Sequence, residues 1–208
     1  MSREEPKPRL IIILGPTGVG KTDVAIRLAG EAGGEIISAD SMQVYRYMDI
    51  GTAKPTPAER AEARHHLIDV VNPDEDFNAA MFVREAGKII GDLNRLQKPI
   101  FVVGGTGLYI RALLGGLFEG HAADEDLREV YRREAACHGK KYLYGKLKVK
   151  DARAAACIDA NDISRIIRAL EVLELTGKSI VEQQKSHHFM DNPYKCRKIG
   201  LMTERDHL

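Results

Sequence analysis

The first half of the chain alternates short apolar runs with longer segments whose apolar residues recur every three or four positions. The short runs predict strands, over Arg9–Leu14, Glu35–Ser38, Leu67–Val70 and Ile100–Val103. The longer segments predict helices, over Thr22–Ala32, Ala79–Gln97 and Gly107–Leu114. Alternating strands and helices are typical of βαβ units, in which parallel strands form one sheet with helices on both faces. The pattern therefore predicts an α/β core over residues 1–118 with a doubly wound parallel sheet.

Beyond residue 118 the strand pattern stops and charged helical segments follow. They predict helices over Asp124–Cys137, Tyr142–Lys150 and Asp162–Thr176. Lys198–Thr203 then has the character of a strand that returns to the core. We therefore predict a helical insertion domain over residues 119–197 and a return to the core over residues 198–208.

The most informative motif lies between the first predicted strand and the first predicted helix. Residues 15–22 match the phosphate-loop pattern G-x-x-x-x-G-K-[ST], in which backbone N–H groups cradle a diphosphate. Lys21 supplies a positive charge and Thr22 a hydroxyl for Mg²⁺. An ordinary strand-to-helix turn does not need Lys-Thr directly after glycine. The motif predicts a P-loop NTPase-like fold and a diphosphate site formed by Gly15, Pro16, Thr17, Gly18, Val19, Gly20, Lys21 and Thr22, without identifying what carries the diphosphate.

A polar segment that starts at Asp40 follows the second predicted strand. Ligands bind at the carboxyl edge of open parallel sheets, so Asp40 is expected to face the phosphate loop. There its carboxylate would act as a general base beside the transferred group. An aspartate that closes a turn is an equally common outcome after a strand, and the sequence leaves both interpretations open.

Glycine occupies position 104, directly after the fourth predicted strand. Many NTPases with this type of loop have an acidic Mg²⁺ ligand at that point, so the glycine weakens an ordinary ATPase interpretation. We expect instead that the backbone approaches a bulky ligand there. The adjacent His65 and His66 would face opposite ways on a strand, which argues against a shared metal. Gly51–Pro55, taken alone, indicates a solvated loop.

Several basic groups lie in the predicted insertion domain. Arg165 and Arg168 fall on one face of its last helix, where they would clamp a phosphate or pair with Glu171 or Glu174. Residues 138–150 and 185–198 mix basic and aromatic or histidine side chains. Such mixtures suit single-stranded RNA, and an ordinary solvated surface is the alternative.

Composition narrows the class of protein further. Hydrophobic residues make up 44% of the 208 positions and charged residues 29%, and the net charge of +1 argues against a general polyanion coat. Three widely spaced cysteines indicate neither a disulfide framework nor a zinc site. The sequence has no bilayer-length apolar stretch and no signal-peptide pattern at its N-terminus, so we expect a cytoplasmic protein without a membrane segment.

Taken together and in order, the motifs resemble those of the tRNA dimethylallyltransferases over residues 9 to about 203. They are residues 15–22, Asp40-Ser-x-Gln-Val-Tyr, Gly51-Thr-Ala-Lys-Pro, His65-His-Leu-Ile-Asp, Gly104-Gly-Thr-Gly-Leu-Tyr, and Asn161-Asp with Arg165 and Arg168-Ala-Leu-Glu. The set is specific, although each later motif alone would be weak evidence. Members of that family continue beyond the strand that matches Lys198–Thr203, so we expect this chain to lack the last part of the core.

The resemblance implies transfer of a dimethylallyl group from dimethylallyl diphosphate to the exocyclic amine of the adenosine immediately 3′ of the anticodon in tRNA. Asp40, Thr22 and Lys21 would be the catalytic residues, with Mg²⁺ held at Thr22. The resemblance also implies contacts to the anticodon loop of tRNA from Asp40, Ser41, Met42, Gln43, Thr106, Arg128, Ser164, Arg165, Ile166, Ile167 and Arg168. We expect a monomer whose partners are tRNA and dimethylallyl diphosphate.

Two other functions stay open at this level. A small-molecule kinase or ATPase would use Asp40 as the base for an alcohol and the arginines as a lid, but the missing acidic strand end opposes it. A nucleotide- or RNA-binding module without catalysis is the third hypothesis.

Overall fold

A computed structural model describes residues 6–116, 124–186 and 192–204. These residues form two compact units. The first contains the described residues up to 116 together with residues 192–204, and the second contains residues 124–186. Among all of them, no helix is both long enough and apolar enough to cross a membrane.

The first unit is built on a parallel sheet. Its strands are β1 (Arg9–Leu14), β2 (Glu35–Ser38), β3 (His65–His66), β4 (Ile100–Gly104) and β5 (Lys195–Gly200). They lie in the order β3-β2-β4-β1-β5, and every pair is parallel. Its helices are α1 (Lys21–Ala32), α2 (Pro57–Glu62), α3 (Ala79–Arg95) and α4 (Gly107–Gly115). The predicted α/β class with a parallel sheet flanked by helices is confirmed.

Side chains of the central strands alternate between two apolar layers. On one face Leu10, Ile12 and Val102 pack with α3 and α4. On the other face Ile13 and Phe101 pack with α1. Strands β2 and β4 are buried on both faces, which explains why such strands appear in the sequence as continuous runs with few polar residues.

The register of the sheet places three carboxyl ends side by side. Leu14 at the end of β1 pairs with Gly104 at the end of β4 and with Gly200 at the end of β5. The segments that follow these strands therefore emerge at the same edge, which is where open α/β sheets bind ligands.

Helix α3 shows how the sequence determines a helix and its end. Asn78 accepts hydrogen bonds from the Ala80 and Met81 amides through its side chain and so caps the first turn. Apolar residues at helical spacing, including Phe82 and Ile90, fill the core. The helix ends two residues before the predicted Gln97, because Gln97 has a φ of 55° and cannot continue it.

Two predicted strands are shifted in the structure. The strand predicted over Leu67–Val70 is His65–His66 instead, because Leu67 and Asp69 have φ values of 60° and 57°, which end an extended segment. The strand predicted over Lys198–Thr203 begins three residues earlier, at Lys195. β5 is an edge strand with mostly exposed side chains. Its bounds are therefore set by its hydrogen bonds to β1, and apolar residues in the sequence do not mark them.

The second unit is built from helices, with no strand among its described residues. It contains α5 (Glu125–His138), α6 (Lys140–Lys150), α7 (Ala152–Cys157), α8 (Ile163–Thr176) and α9 (Ile180–Ser186). Its core includes Tyr131, Leu143, Leu147, Ile166 and Leu170. Asp124 caps α5 and Asp162 caps α8, because the side chain of each accepts a hydrogen bond from a backbone N–H group in the first turn.

Candidate functional site

The phosphate-loop residues 15–20 join the end of β1 to the start of α1. Gly18 and Gly20 have φ values of 88° and 83°, which favour glycine. Gly20 also has no side chain that could cap α1, so the first N–H groups of that helix are left for a ligand. An N-terminal helix end with such groups attracts an anion.

This loop forms one wall of a cavity of about 310 Å³. The other walls come from the end of β2, the segment after it, and the start of β3. The lining residues that bear on chemistry are Thr17, Lys21, Thr22, Ser38, Asp40, Gln43, Lys54, Glu59 and His65. The cavity thus brings the predicted phosphate loop and the predicted base into one site at the carboxyl edge of the sheet.

Lys21 interacts with both the loop backbone and Asp40. Its Nζ donates to the Pro16 carbonyl oxygen at 2.7 Å. Burial lowers the pKa of Lys21, and the negative charge of Asp40 opposes that lowering. The Asp40 carboxylate therefore acts electrostatically on the loop lysine and lies on the same side of the sheet as the loop.

Asp40 combines the two interpretations that the sequence left open. Its Oδ1 accepts a hydrogen bond from the Met42 amide at 2.9 Å, which closes a turn after β2. The residue also lines the cavity. The turn therefore occupies Oδ1 of Asp40. The other carboxylate oxygen, Oδ2, has no hydrogen bond to the described residues.

The segment after Asp40 is tied to two other parts of the site. Thr106 Oγ1 accepts from the Ser41 amide at 3.0 Å and donates to Ser41 Oγ at 3.3 Å. Gln43 is buried, accepts from Ser38 Oγ at 2.9 Å and donates to the Ala53 carbonyl oxygen at 2.8 Å. Met42 is exposed. The structure therefore brings Ser41, Gln43 and Thr106 together around Asp40.

The sequence did not predict that the segment Gly51–Pro55 would line the cavity, to which it contributes Ala53, Lys54 and Pro55. Lys54 has a side chain that is 2% exposed and donates to Asp49 Oδ1 at 2.7 Å and Asp69 Oδ1 at 2.9 Å. Burial alone would lower the pKa of Lys54, but these two carboxylates outweigh it and the pKa is raised. Taken alone, this segment indicated a solvated loop, and Gln43 is the residue that fixes it against the cavity.

The two histidines have separate environments. His65 lines the cavity, and one of its ring nitrogens, Nδ1, lies 2.7 Å from the Ala63 carbonyl oxygen. Burial lowers the pKa of His65 despite that hydrogen bond. His66 Nε2 lies 2.6 Å from Glu35 Oε2. In the part of the chain that is described, no group of three or more His, Cys, Asp or Glu side chains is arranged to hold a metal.

Packing of the backbone gives Gly104 a reason of its own. A Cβ at this position would lie 2.1 Å from the Ala39 carbonyl oxygen and 2.9 Å from its Cα. The close approach that the structure contains is therefore to the backbone that follows β2. Gly104 also lines the cavity, so its approach to a bulky ligand stays a prediction. Glycine is required here so that β2 and β4 remain adjacent at the site edge.

In the second unit the arginines pair with acidic side chains. Arg168 Nη1 donates to Glu171 Oε2 at 2.6 Å, and Arg128 donates to both Glu171 oxygens at 2.9 and 3.1 Å. Arg165 is mostly exposed and lies 3.3 Å from Asp162. The pairing alternative that the sequence left open for Arg168 is the one that the structure contains.

The remaining residues predicted to contact tRNA differ in exposure. Ser164 is exposed on α8. Ile166 and Ile167 are buried in the core of the second unit, so their side chains pack there. The predicted tRNA contacts therefore fall into two groups, one around Asp40 in the first unit and one along α8 and α5 in the second.

Comparisons with known proteins show the family to which the chain belongs. The IPP transferase family model matches residues 43–208, and the isopentenyl transferase model matches residues 8–75. The chain is 63% identical over 199 residues to tRNA dimethylallyltransferase 2 of Syntrophus aciditrophicus, covering 96% of this chain and 64% of that protein. It is 48% identical to tRNA dimethylallyltransferase of Geobacter sulfurreducens, covering 97% of this chain and 65% of that protein.

Solved structures give the same fold. The full-length tRNA isopentenylpyrophosphate transferase from Bacillus halodurans matches with a TM-score of 0.61 and 43% identity, over 96% of this chain and 62% of that one. A eukaryotic dimethylallyltransferase acting on tRNA matches with a TM-score of 0.79 and 28% identity, over 95% of this chain and 49% of that one. The chain spans about 65% of the length of the curated relatives that it matches.

Proposed function

This chain belongs to the IPP transferase family, and we propose that it transfers a dimethylallyl group from dimethylallyl diphosphate to tRNA. The acceptor is the exocyclic amine of the adenosine immediately 3′ of the anticodon, and diphosphate is released. The observation that carries the proposal is the single cavity shared by the phosphate loop and Asp40. A loop that binds diphosphate and a carboxylate that accepts a proton are the two groups that this reaction needs.

The phosphate loop would stabilise the departing diphosphate. As the bond between the allylic carbon and the diphosphate oxygen breaks, negative charge develops on the leaving group. The N–H groups at the start of α1 and the charge of Lys21 would stabilise that charge, because Gly20, Lys21 and Thr22 line the cavity. Thr17 lines the same cavity and adds a hydroxyl.

Mg²⁺ would fit beside Thr22. Thr22 and Asp40 give the cavity oxygen donors, the type that Mg²⁺ prefers, and Mg²⁺ commonly takes few protein ligands together with substrate phosphates. When bound, it supplies positive charge that neutralises the diphosphate. The hydroxyl of Thr22 is the protein ligand that we assign to it.

Asp40 would accept the proton that the adenine amine loses as its bond to the allylic carbon forms. An adenine amine is a weak nucleophile until that proton is being removed. Because Oδ1 is engaged by the Met42 amide, Oδ2 is the oxygen that we assign to the proton. The turn would then serve catalysis by fixing the direction of the carboxylate.

The acceptor RNA is proposed to contact both units. Ser41, Gln43 and Thr106 surround Asp40, and Arg128, Ser164, Arg165 and Arg168 lie in the helical unit. The names of the relatives, tRNA dimethylallyltransferase and a dimethylallyltransferase acting on tRNA, support tRNA as the acceptor. An anticodon loop is single-stranded, so its base enters a pocket at lower cost than a paired base. We also propose that the protein is a monomer in the cytoplasm.

The test is incorporation of label from radioactive dimethylallyl diphosphate into unmodified tRNA. The proposal predicts labelled RNA and release of one diphosphate per labelled adenosine. A tRNA with another base at that position is the matched control and should stay unlabelled. Nucleotide turnover without labelled RNA would reject the proposal and support a phosphotransferase instead.

A further inference from the structure

Four hydrogen bonds converge on one fully buried carboxylate in the helical unit. Glu171 has an exposed fraction of 0%. Its Oε1 accepts from Arg128 Nε at 2.9 Å and from the Asp124 amide at 2.8 Å. Its Oε2 accepts from Arg128 Nη2 at 3.1 Å and from Arg168 Nη1 at 2.6 Å. Each oxygen therefore accepts two hydrogen bonds, which is the full capacity of a carboxylate.

Glu171 keeps its negative charge in this cluster. Burial alone would raise the pKa of Glu171, but the hydrogen bonds from Arg128, Arg168 and the Asp124 amide outweigh it and the pKa is lowered. One ionised carboxylate is thus shared by two guanidinium groups. Their side chains are 27% and 31% exposed, so both guanidinium side chains are partly accessible at the surface.

A shared buried carboxylate does more than pair charges. Arg128 is held through two parallel N–H···O bonds, which fix the plane of its guanidinium group. A long side chain that is already ordered loses less rotamer entropy when it meets a ligand. The same carboxylate also holds Asp124, the residue that caps α5, and so fixes the start of the helix that carries Arg128.

We propose that Glu171 is a positioning residue that holds Arg128 and Arg168 in the orientation in which they contact tRNA. This inference rests on the proposed function, because it takes tRNA as the ligand. Glu171 is itself buried and would not touch RNA. Its effect would be transmitted through the two arginines, which lie on different helices and meet at this carboxylate.

Glu174 on the same helix provides a matched control. It is 46% exposed, accepts from Tyr131 Oη at 2.8 Å and pairs with Lys150 at 3.0 Å. Glu171→Gln and Glu174→Gln each remove one negative charge, so they change long-range attraction to RNA in the same way. The difference between the two variants isolates the placement of the arginines.

The experiment measures the affinity of each variant for an anticodon stem-loop RNA by fluorescence anisotropy. Glu171→Gln should bind about tenfold more weakly than Glu174→Gln, as expected when a charge-assisted contact is lost. The slope of log Kd against log salt should also fall by about 1 for Glu171→Gln alone. The KM for dimethylallyl diphosphate should stay within about twofold of the wild-type value.

A second variant keeps the inference testable should Glu171→Gln unfold. Arg128→Lys retains the charge and the buried carboxylate but cannot form the two-pronged contact. It should also weaken RNA binding, with an unchanged KM for dimethylallyl diphosphate. Equal affinity of Glu171→Gln and Glu174→Gln, or wild-type affinity of Arg128→Lys, would overturn the inference. RNA binding is measured separately from dimethylallyl transfer. If the wild-type chain does not label tRNA, the proposed function is rejected, but the affinities of Glu171→Gln and Glu174→Gln still test the role of Glu171.

Discussion

At the scale of single residues, Gly104 shows how a position near a site can be fixed by packing. Its missing side chain accommodates the Ala39 backbone, as described above, so no small shift of a flexible side chain could make room for a methyl group. Gly105, the next residue, would place a Cβ 3.7 Å from the nearest atom, the Gly15 carbonyl oxygen, which is an ordinary contact.

We therefore predict that Gly104→Ala lowers the free energy of unfolding by about 1–3 kcal/mol or more, the range of overpacked sites. Gly105→Ala should change it by less than about 1 kcal/mol. Urea denaturation of both variants checks this. Equal stabilities would show that the backbone at the end of β4 can move away from Ala39.

Some residues of the site could be predicted from the sequence and others could not. The loop pattern is local, so the sequence alone predicted Lys21 and Thr22 beside a diphosphate. Asp40 followed from the rule that ligands bind where parallel strands end. Lys54 and His65 could not be placed in the cavity, because their positions depend on the hydrogen bonds of Gln43 and on the register of β3.

At the scale of elements, long amphipathic helices were predictable and short ones were not. Helices α3 and α8 carry apolar residues over three or more turns, which is enough for a clear period. Helices α2, α7 and α9 have six or seven residues each, too few for one. The sequence does contain a local signal for α2. Thr56, the residue before the helix, and Glu59 in its first turn form a capping box.

The cap of α3 makes a second prediction. Asn78→Ala removes the acceptor for two backbone N–H groups and should lower the free energy of unfolding by about 1 kcal/mol. Asn94→Ala, near the exposed end of the same helix, should leave it unchanged or slightly raised, because alanine favours helices. The comparison is made by denaturant unfolding. A smaller loss for Asn78→Ala than for Asn94→Ala would contradict the assignment of the cap.

At the scale of the whole molecule, three carboxylates of the described residues stay charged although burial is the largest single influence on their pKa. Burial alone would raise the pKa of Glu35, Asp69 and Glu171, but hydrogen bonds and charges from basic neighbours outweigh it and each pKa is lowered. A carboxyl group whose pKa is lower in the folded state binds fewer protons there than in the unfolded chain. Stability from these groups is therefore present above their unfolded pKa of about 4 and is lost as the pH falls below it.

We accordingly predict that the free energy of unfolding decreases as the pH is lowered from about 5 to 3, measured by urea denaturation at each pH. Glu35→Gln removes one of the three groups and should make that decrease shallower. His66 and Lys98, its partners, lose their carboxylate in that variant, so its stability at neutral pH should also be lower. A free energy of unfolding that does not change between these pH values would contradict the assignment.

The central claim is that Asp40 accepts a proton in a cavity built to hold diphosphate. Asp40→Asn tests it most directly, since asparagine keeps an oxygen for the Met42 amide but is no base. Single-turnover transfer of labelled dimethylallyl groups to tRNA should fall by about 10²–10⁴-fold, with binding of inorganic diphosphate within about twofold of wild type. Asp76→Asn, an exposed control, should transfer normally. Transfer by Asp40→Asn at the wild-type rate would contradict the account.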